Sequence, residues 1–217
     1  MRVSSGKNLN EEQLIEIGLS RNIINAAINQ TYDLLDKIDG TLTSSGVYPL
    51  SQTVELANLS SMIGNIFGAA IAQHSNKLFR RNGPHRYPDL LSTDPTARPN
   101  IEIKMALEDN KPKGHLAKPG YYISCRYVLC SVDGNYALGK DNRGVKPYIW
   151  ELRCGLLEEE HFNISNTAGD SGKTAVVNAA GMSALKIIYF DIDRAPFSKR
   201  GRNYAGYLRL LQSKASH

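Results

Sequence analysis

The stretch YPDLLSTDPTARPNIEIKMA, residues 87–106, decides the fold of this chain because two strand-like segments follow each other across a loop with two prolines. Side chains alternate along a β-strand, so Glu102 and Lys104 are predicted to share one face while the isoleucines beside them face a core. The loop 92–100 is suited to return the chain antiparallel, which brings Asp89 beside Glu102. The stretch therefore predicts two carboxylates and an ammonium at one place on a sheet.

Such a group suits the hydrolysis of phosphodiesters. Carboxylate oxygens of Asp89 and Glu102 are hard ligands that hold Mg²⁺ against a phosphate, and the metal acidifies a bound water. Lys104 then stabilises the incoming hydroxide or the pentacovalent phosphorane. A Glu-x-Lys on the exposed face of an edge strand is also a common cross-strand charge pair, and this structural alternative stays open.

Two helical patterns precede the stretch. The first begins at Asn10 and is ended by Gly40; its apolar residues are Leu14, Ile17, Ile24, Ile28, Leu35 and Ile38. The second runs from about Thr53 to Phe79 and carries Glu55 on its apolar stripe. A carboxylate in that place is costly unless a site uses it, so Glu55 is a further candidate. The alternative is a first-turn charge that meets the positive helix end and reaches solvent.

Downstream, short β-type stretches separated by Gly, Pro, Asn and Asp predict further strands. They lie at 87–91, 100–107, 120–132, 147–157 and 184–192. Helices followed by a mixed sheet indicate an α+β order within the broad α/β class. A length of 217 residues suits a single domain, 1–217. Residues 1–45 form an N-terminal helical region and a candidate dimer contact, with packing inside its own subunit as the alternative.

The composition limits the classes of function. An apolar fraction of 41% and a charged fraction of 22% are typical of a globular protein. Since no apolar run reaches the length of a membrane span and the N-terminus lacks a signal-peptide core, no membrane partner and a cytoplasmic location are expected. The three cysteines lack metal-site spacing and are predicted to be buried reduced thiols. A net charge of +5 allows a polyanionic partner without requiring one.

Pro88-Asp89 followed by Glu102-Ile103-Lys104 resembles the signature of the PD-(D/E)XK nuclease superfamily, which includes many type II restriction endonucleases. The order of other segments is similar to that of the EcoRV-type enzymes: VYPLSQT (47–53), RYPDLL, IEIK, GHLAKPGYY (114–122) and NTAGDSGKTAVVN (166–178). The resemblance implies a restriction-endonuclease-like core, a mixed sheet of five or six strands flanked by helices. It also implies that Asp89 and Glu102 bind Mg²⁺ with the Ile103 carbonyl, and that Lys104 assists the attacking water. The family often adds an acidic residue from the preceding helix, for which Glu55 is the candidate.

The late loop 166–178 combines glycines, which allow close approach, with hydrogen-bonding side chains suited to base edges. In the EcoRV-type enzymes the corresponding loop contacts bases in the major groove. The candidates here are Asn166, Thr167, Gly169, Asp170, Ser171, Gly172, Lys173, Thr174 and Asn178. Only two residues separate its glycines, so a nucleotide-binding P-loop is excluded. A polar surface hairpin is the alternative for each single residue.

Lys113, His115 and Lys118 follow the IEIK strand by about ten residues and are candidate contacts to DNA phosphates, with solvated surface residues as the alternative. Together these features predict a sequence-specific, Mg²⁺-dependent type II endodeoxyribonuclease. A homodimer on double-stranded DNA is expected because cutting both strands of a two-fold site requires two copies of one active site. The resemblance favours blunt ends. A repair or recombination nuclease and a non-enzymatic DNA-binding module stay open as other classes.

Overall fold

The computed structural model describes residues 2–84, 86–114, 116–165 and 174–213. Its helices are α1 (Glu11–Glu16), α2 (Arg21–Ser44), α3 (Leu50–Thr53), α4 (Leu56–His74), α5 (Ala179–Ala184) and α6 (Arg202–Ser213). Its strands are β1 (Lys7–Asn8), β2 (Phe79–Arg81), β3 (Leu90–Ser92), β4 (Ile101–Leu107), β5 (Lys113–Gly114), β6 (Gly120–Cys130), β7 (Lys146–Leu157), β8 (Phe162–Ser165), β9 (Thr174–Val177) and β10 (Lys186–Phe190).

The main sheet has seven strands in the order β1-β10-β7-β6-β4-β3-β2. Strands β4 and β6 pair in parallel, and the other neighbours pair antiparallel. The predicted mixed sheet flanked by helices is confirmed, but it has seven strands rather than five or six. The two additional strands, β1 and β2, lie at the edges and have two and three residues. Segments this short show no alternating pattern in a sequence.

The core lies between the helices α2 and α4 and one face of the main sheet. Helix α4 approaches β4 closely because it presents glycines there. A Cβ added to Gly64 would lie 2.9 Å from Met105 Cγ, and one added to Gly68 would lie 3.0 Å from Ile103 Cδ1. Ile103 and Met105 therefore face this core, as the alternation predicts.

A buried ion network occupies the other face of the sheet. Glu151 on β7 is fully buried and pairs with Arg126 Nη1 at 3.1 Å and Arg153 Nη2 at 2.9 Å. The Tyr207 hydroxyl of α6 donates to the same carboxylate. Arg126 is aligned with Ala106 across the parallel pair, so the network lies on the face that carries Glu102. One carboxylate thus joins two strands to the C-terminal helix.

The first predicted helix is wrong in its boundaries. The chain breaks at Gly18, whose φ of +74° ends α1. Ser20 then begins α2 by accepting a hydrogen bond from the Ile23 amide at 3.3 Å. Helix α2 also continues through Gly40 to Ser44. Glycine inside a helix costs about 1 kcal/mol relative to alanine, and the packing of neighbouring turns offsets that cost.

The apolar stripe of α2 is buried inside its own subunit. Ile24 and Ile28 are fully buried, and Leu35 is 2% exposed. Ile24 and Ile28 belong to the main core, while Leu35 packs with Leu59 and Ile63 of α4. The stripe that suggested a dimer contact in residues 1–45 is therefore covered, and any dimer contact of this region would use its outer surface. The homodimer itself stays a prediction.

The second predicted helix is also interrupted. Helix α3 ends at Thr53, and Val54 and Glu55 are extended before α4 begins. Helix α4 ends at His74, and β2 starts at Phe79, within the range predicted to be helical. Positive φ angles of 50° at Asn76 and 65° at Lys77 turn the chain there. No helix within the described ranges has the length and apolar character required to cross a membrane.

A second sheet has three antiparallel strands in the order β5-β9-β8. It arises from segments that the sequence indicated as loops. Lys113 is aligned with Val176 and Gly114 with Ala175, while β8 and β9 form the two sides of a hairpin. Residues 166–173, between these two strands, lie outside the described part of the chain.

The predicted buried thiols are confirmed. Cys125, Cys130 and Cys154 are free and buried. Burial raises the pKa of the Cys130 thiol to about 11 and that of Cys154 to about 12. These cysteines are accordingly core residues with little thiolate character at neutral pH.

Candidate active site

The pairing of β3 with β4 places Asp89 beside Glu102. Leu90 is aligned with Ile101, so the preceding and following residues lie opposite each other. The Asp89 amide donates to Glu102 Oε2 at 3.1 Å, and the Ile103 amide donates to Asp89 Oδ2 at 2.9 Å. Backbone groups thus hold both side chains, and the predicted juxtaposition of the two carboxylates is confirmed.

Lys104 completes the predicted group. Its Nζ donates to Glu102 Oε1 at 2.5 Å, because residues two apart in a strand share a face. Glu102 is only 7% exposed, whereas an ordinary surface charge pair lies in solvent. The burial of the Glu102 carboxylate distinguishes this group from a charge pair on an edge strand, in which both charges stay in contact with water.

Burial raises the pKa of Glu102 above its ordinary value. The Lys104 ammonium lowers this pKa, while the nearby Asp89 carboxylate raises it. Burial and the like charge together outweigh the ammonium. The ionised carboxylate is thus held at a free-energy cost, which a bound cation relieves.

The oxygen atoms present fit Mg²⁺, although a complete protein cage is absent. Within the described ranges no three His, Cys, Asp or Glu residues form a metal-binding group. Asp89 Oδ1, however, accepts no hydrogen bond from any described residue. The Ile103 amide points toward Asp89, and the carbonyl of the same strand residue points to the same edge. Two carboxylates and one carbonyl suit Mg²⁺, which usually keeps several waters and takes other oxygens from substrate phosphates.

Glu55 does not join this group. It is exposed and immediately precedes α4, where its side chain makes no capping hydrogen bond. Gly68 of α4 lies against Ile103, while Ser60 contacts the Tyr127 hydroxyl at 2.7 Å, level with the far end of β4. Thirteen residues of helix, about 20 Å, separate Glu55 from Gly68. The predicted position on an apolar stripe is wrong, since α4 begins at Leu56, three residues after the predicted start, and Glu55 precedes it in extended conformation.

Strand β5 lies directly over Lys104. A Cβ on Gly114 would lie 3.1 Å from Lys104 Cε and 3.2 Å from Nζ. The neighbouring Lys113 is exposed and available to a partner. His115 lies outside the described residues. The absence of a side chain at position 114 thus lets the second sheet reach Lys104.

Two tyrosines that the sequence analysis did not single out hold the chain beside the carboxylates. The Tyr122 hydroxyl donates to the Lys118 carbonyl at 2.7 Å, and Tyr87 donates to the Pro119 carbonyl at 2.9 Å. Tyr122 is aligned with Glu102 in the parallel pair. The Lys118 ammonium lies 4.4 Å from the centre of the Tyr87 ring. These contacts place a lysine next to the site without burying its charge in an ion pair.

Asn178, which was predicted to contact DNA bases, has a local structural role instead. Its Oδ1 accepts from the Gly181 amide at 2.9 Å and caps α5, and its Nδ2 donates to the Glu160 carbonyl at 2.6 Å. Thr174 begins β9 and is aligned with Ser165. The candidates Asn166, Thr167, Gly169, Asp170, Ser171, Gly172 and Lys173 lie outside the described residues.

Arg81 is a site residue that the sequence analysis did not single out. Its Nη1 lies 3.9 Å from Asp89 Oδ1, and its Nη2 donates to Asn65 Oδ1 at 3.0 Å. The available signal was its place in the basic segment 77–86. That signal does not separate one arginine from its neighbours.

Comparison with known proteins adds no assignment to this site, so its interpretation depends on the geometry described above. No protein-family model matches the chain, and no curated protein matches it significantly.

Proposed function

We propose that this protein is a Mg²⁺-dependent endodeoxyribonuclease of the PD-(D/E)XK type that cuts double-stranded DNA. The observation that carries the proposal is the buried Glu102 carboxylate, which meets Asp89 through the Asp89 amide and Lys104 through a direct ion pair. The resemblance of the Pro-Asp and Glu-x-Lys segments to the nuclease signature supports the same conclusion. The mixed sheet flanked by helices is compatible with it.

Hydrolysis of a DNA phosphodiester joins a water oxygen to phosphorus and breaks the bond from phosphorus to a deoxyribose oxygen. The water loses a proton and the leaving oxygen gains one. Mg²⁺ supplies an acidified water and neutralises phosphate charge when bound. Asp89 and Glu102, with the Ile103 carbonyl at the same edge, would hold the metal. Lys104, whose side chain is 25% exposed, would donate hydrogen bonds from Nζ to the attacking oxygen and to the phosphorane.

The second sheet is the proposed DNA-contacting part. Its strand β5 lies over Lys104 and pairs with β9, one side of the β8–β9 hairpin. We assign phosphate contacts to Lys113 and Lys118, and base contacts to the loop 166–173 between the hairpin strands. The proposal in its full form is a type II restriction enzyme acting as a homodimer on two-fold sites.

Plasmid DNA incubated with the protein and Mg²⁺ tests this function. Discrete fragments are expected for a site-specific enzyme. A smear or a single nick would indicate a repair or recombination nuclease, and unchanged DNA would indicate a binding module or another role. Asp89→Ala and Glu102→Ala should each abolish cleavage while DNA binding in Ca²⁺ persists. Asp109→Ala, which removes an exposed carboxylate just beyond β4, is the matched control and should cut normally. Normal cutting by either site variant would contradict the assignment.

A further inference from the structure

Arg81 is held in a defined position between α4 and Asp89. A Cβ on Gly68 would lie 2.3 Å from Arg81 Nη1, so the guanidinium rests on the helix where a side chain is missing. Asn65, on the same helix, accepts from Nη2 at 3.0 Å. Arg81 is 30% exposed and Asp89 is 28% exposed, so solvent screens this pair only in part. The helix therefore keeps a positive charge beside one candidate metal ligand.

The contact is an electrostatic one and not a hydrogen bond. At 3.9 Å, Nη1 is too far from Asp89 Oδ1 to donate to it. The oxygen that has no hydrogen bond from the described residues is therefore the one that faces the guanidinium. Arg81 does not fill the position that a metal would take, but it lies close enough to repel a cation bound there.

The charges of the four side chains sum to zero. Asp89 and Glu102 contribute two negative charges, and Lys104 and Arg81 contribute two positive charges. A site of this composition attracts a divalent cation weakly. A phosphodiester adds one negative charge and makes the site favourable for the cation. Without Arg81, the same site would carry a negative charge even before DNA binds.

We propose that Arg81 is a positioning residue that keeps the metal affinity of the free Asp89–Glu102 site low, so that metal loading depends on bound DNA. The inference rests on the proposed function for the identity of the substrate and the metal. Arg81 acts through Asp89 and takes no part in bond making. Arg80, its neighbour, is exposed on the opposite face of β2 and carries the same charge without this contact.

Mn²⁺ binding to the free protein, measured by electron paramagnetic resonance, provides the direct test. Arg81→Gln removes the charge and should tighten Mn²⁺ binding about ten-fold, the order expected when a like charge a few ångströms away is removed. Arg81→Lys keeps a charge and should stay near the wild type. Arg80→Gln is the matched control and should leave Mn²⁺ affinity unchanged. Adding Asp89→Ala to Arg81→Gln should abolish the gain, because the effect acts through that carboxylate.

The Mg²⁺ dependence of plasmid cleavage supplies a second measurement. Arg81→Gln should lower the Mg²⁺ concentration that gives half-maximal cleavage by a similar factor, whereas Arg80→Gln should not. A merely structural arginine would give weaker metal binding and a lower unfolding temperature when it is replaced. Weaker or unchanged Mn²⁺ binding in Arg81→Gln would therefore overturn the inference. A wild type that binds Mn²⁺ but never cuts DNA would overturn the proposed function, and the Mn²⁺ comparison would still decide the role of Arg81.

Discussion

Glu102 shows at the scale of one residue how a site is built at the expense of stability. The carboxylate is buried beside a second carboxylate, and its single ammonium partner does not fully compensate. Its two oxygens are nevertheless held by the Asp89 amide and Lys104 Nζ. A carboxylate kept ionised in such surroundings is stabilised when a cation binds. Without a cation, its burial lowers the free energy of unfolding.

This cost predicts a pH-dependent gain in stability for Glu102→Gln. The raised pKa means that the folded protein holds a proton at this carboxyl more tightly than the unfolded chain does. The penalty is therefore absent below the ordinary pKa of 4.5 and grows as the pH rises through the raised folded value. In EDTA, the variant should unfold at a higher temperature than the wild type at pH 8, and this difference should disappear near pH 4. The glutamine oxygen can still accept from the Asp89 amide while Lys104 turns to solvent.

Glu159→Gln is the control for this measurement, because Glu159 is exposed and loses only a surface charge. Thermal unfolding followed by circular dichroism across the pH series suffices. If Glu102→Gln instead lowered the unfolding temperature relative to the wild type at pH 8, and lowered it less at pH 4, the ion pair with Lys104 would outweigh the cost of burial.

The residues that could be predicted are those whose contacts follow from local geometry. Alternation within one strand joins Glu102 to Lys104, and a short antiparallel return adds Asp89. Arg81 could not be predicted, because its place depends on how α4 packs on β2 and on the space at Gly68. Glu55 was misassigned because α4 begins at Leu56 and not near Thr53, so this side chain lies at the N-cap and not on the apolar stripe.

Helix α2 shows at the scale of one element how packing overrides local preference. Gly40 was predicted to end the helix, yet four further residues remain helical beyond it. Leu35, five residues earlier, is buried against α4, and the Asp39 carboxylate accepts from the Leu50 amide at 2.7 Å. Leu42, beyond the glycine, packs against the same apolar cluster. Contacts on both sides of Gly40 therefore hold its backbone in the helical region. Four of the five predicted strands correspond to β4, β6, β7 and β10, because each has a sustained β-type sequence bounded by turn residues. The fifth, predicted at 87–91, is wrong in its bounds, since β3 has only three residues, Leu90–Ser92.

Gly40 and Gly46 form a natural pair for testing this account. A Cβ at either position would meet no heavy atom within 4 Å, so space is equal and only the backbone differs. Gly40→Ala should raise the free energy of unfolding by up to about 1 kcal/mol, since alanine is the better helix former. Replacing Gly46, whose φ is +76°, by alanine should instead lower the free energy of unfolding by about 1 kcal/mol. Urea unfolding measures both, and equal effects would contradict the helical continuity of α2.

At the scale of the whole molecule, the ion network around Glu151 ties the sheet to α6. A buried arginine, Arg126, and a partly buried one, Arg153, share this carboxylate, so Glu151→Gln leaves an excess of positive charge in and beside the core. The variant should lose about 3 to 5 kcal/mol of unfolding free energy in urea. Tyr207→Phe removes only the hydroxyl that donates to Glu151 and should cost about 1 to 2 kcal/mol. Equal losses in the two variants would show that charge compensation is not what the network provides.

The position of the second sheet is the feature of the whole molecule that the sequence least revealed. Gly114 and Ala175 are separated by sixty residues, and a two-residue strand leaves no pattern to match with its partner. The loop 166–178 was predicted to contact DNA from its residue types, and its residues 166–173 lie outside the described part of the chain. The connection of the β8–β9 hairpin to the strand over Lys104 follows only from the tertiary structure.

The parallel pairing of β4 with β6 has a further topological consequence. After β4 the chain must travel back along the strand, about 23 Å for seven residues, before β6 can begin in the same direction. Such crossovers usually contain a helix that covers the sheet. Here the described residues of the return, 108–114 and 116–119, contain the two-residue strand β5 and no helix. The carboxylate-bearing face is thus covered near Lys104 by a connection that carries Lys111, Lys113 and Lys118, in the place where a crossover helix would usually lie.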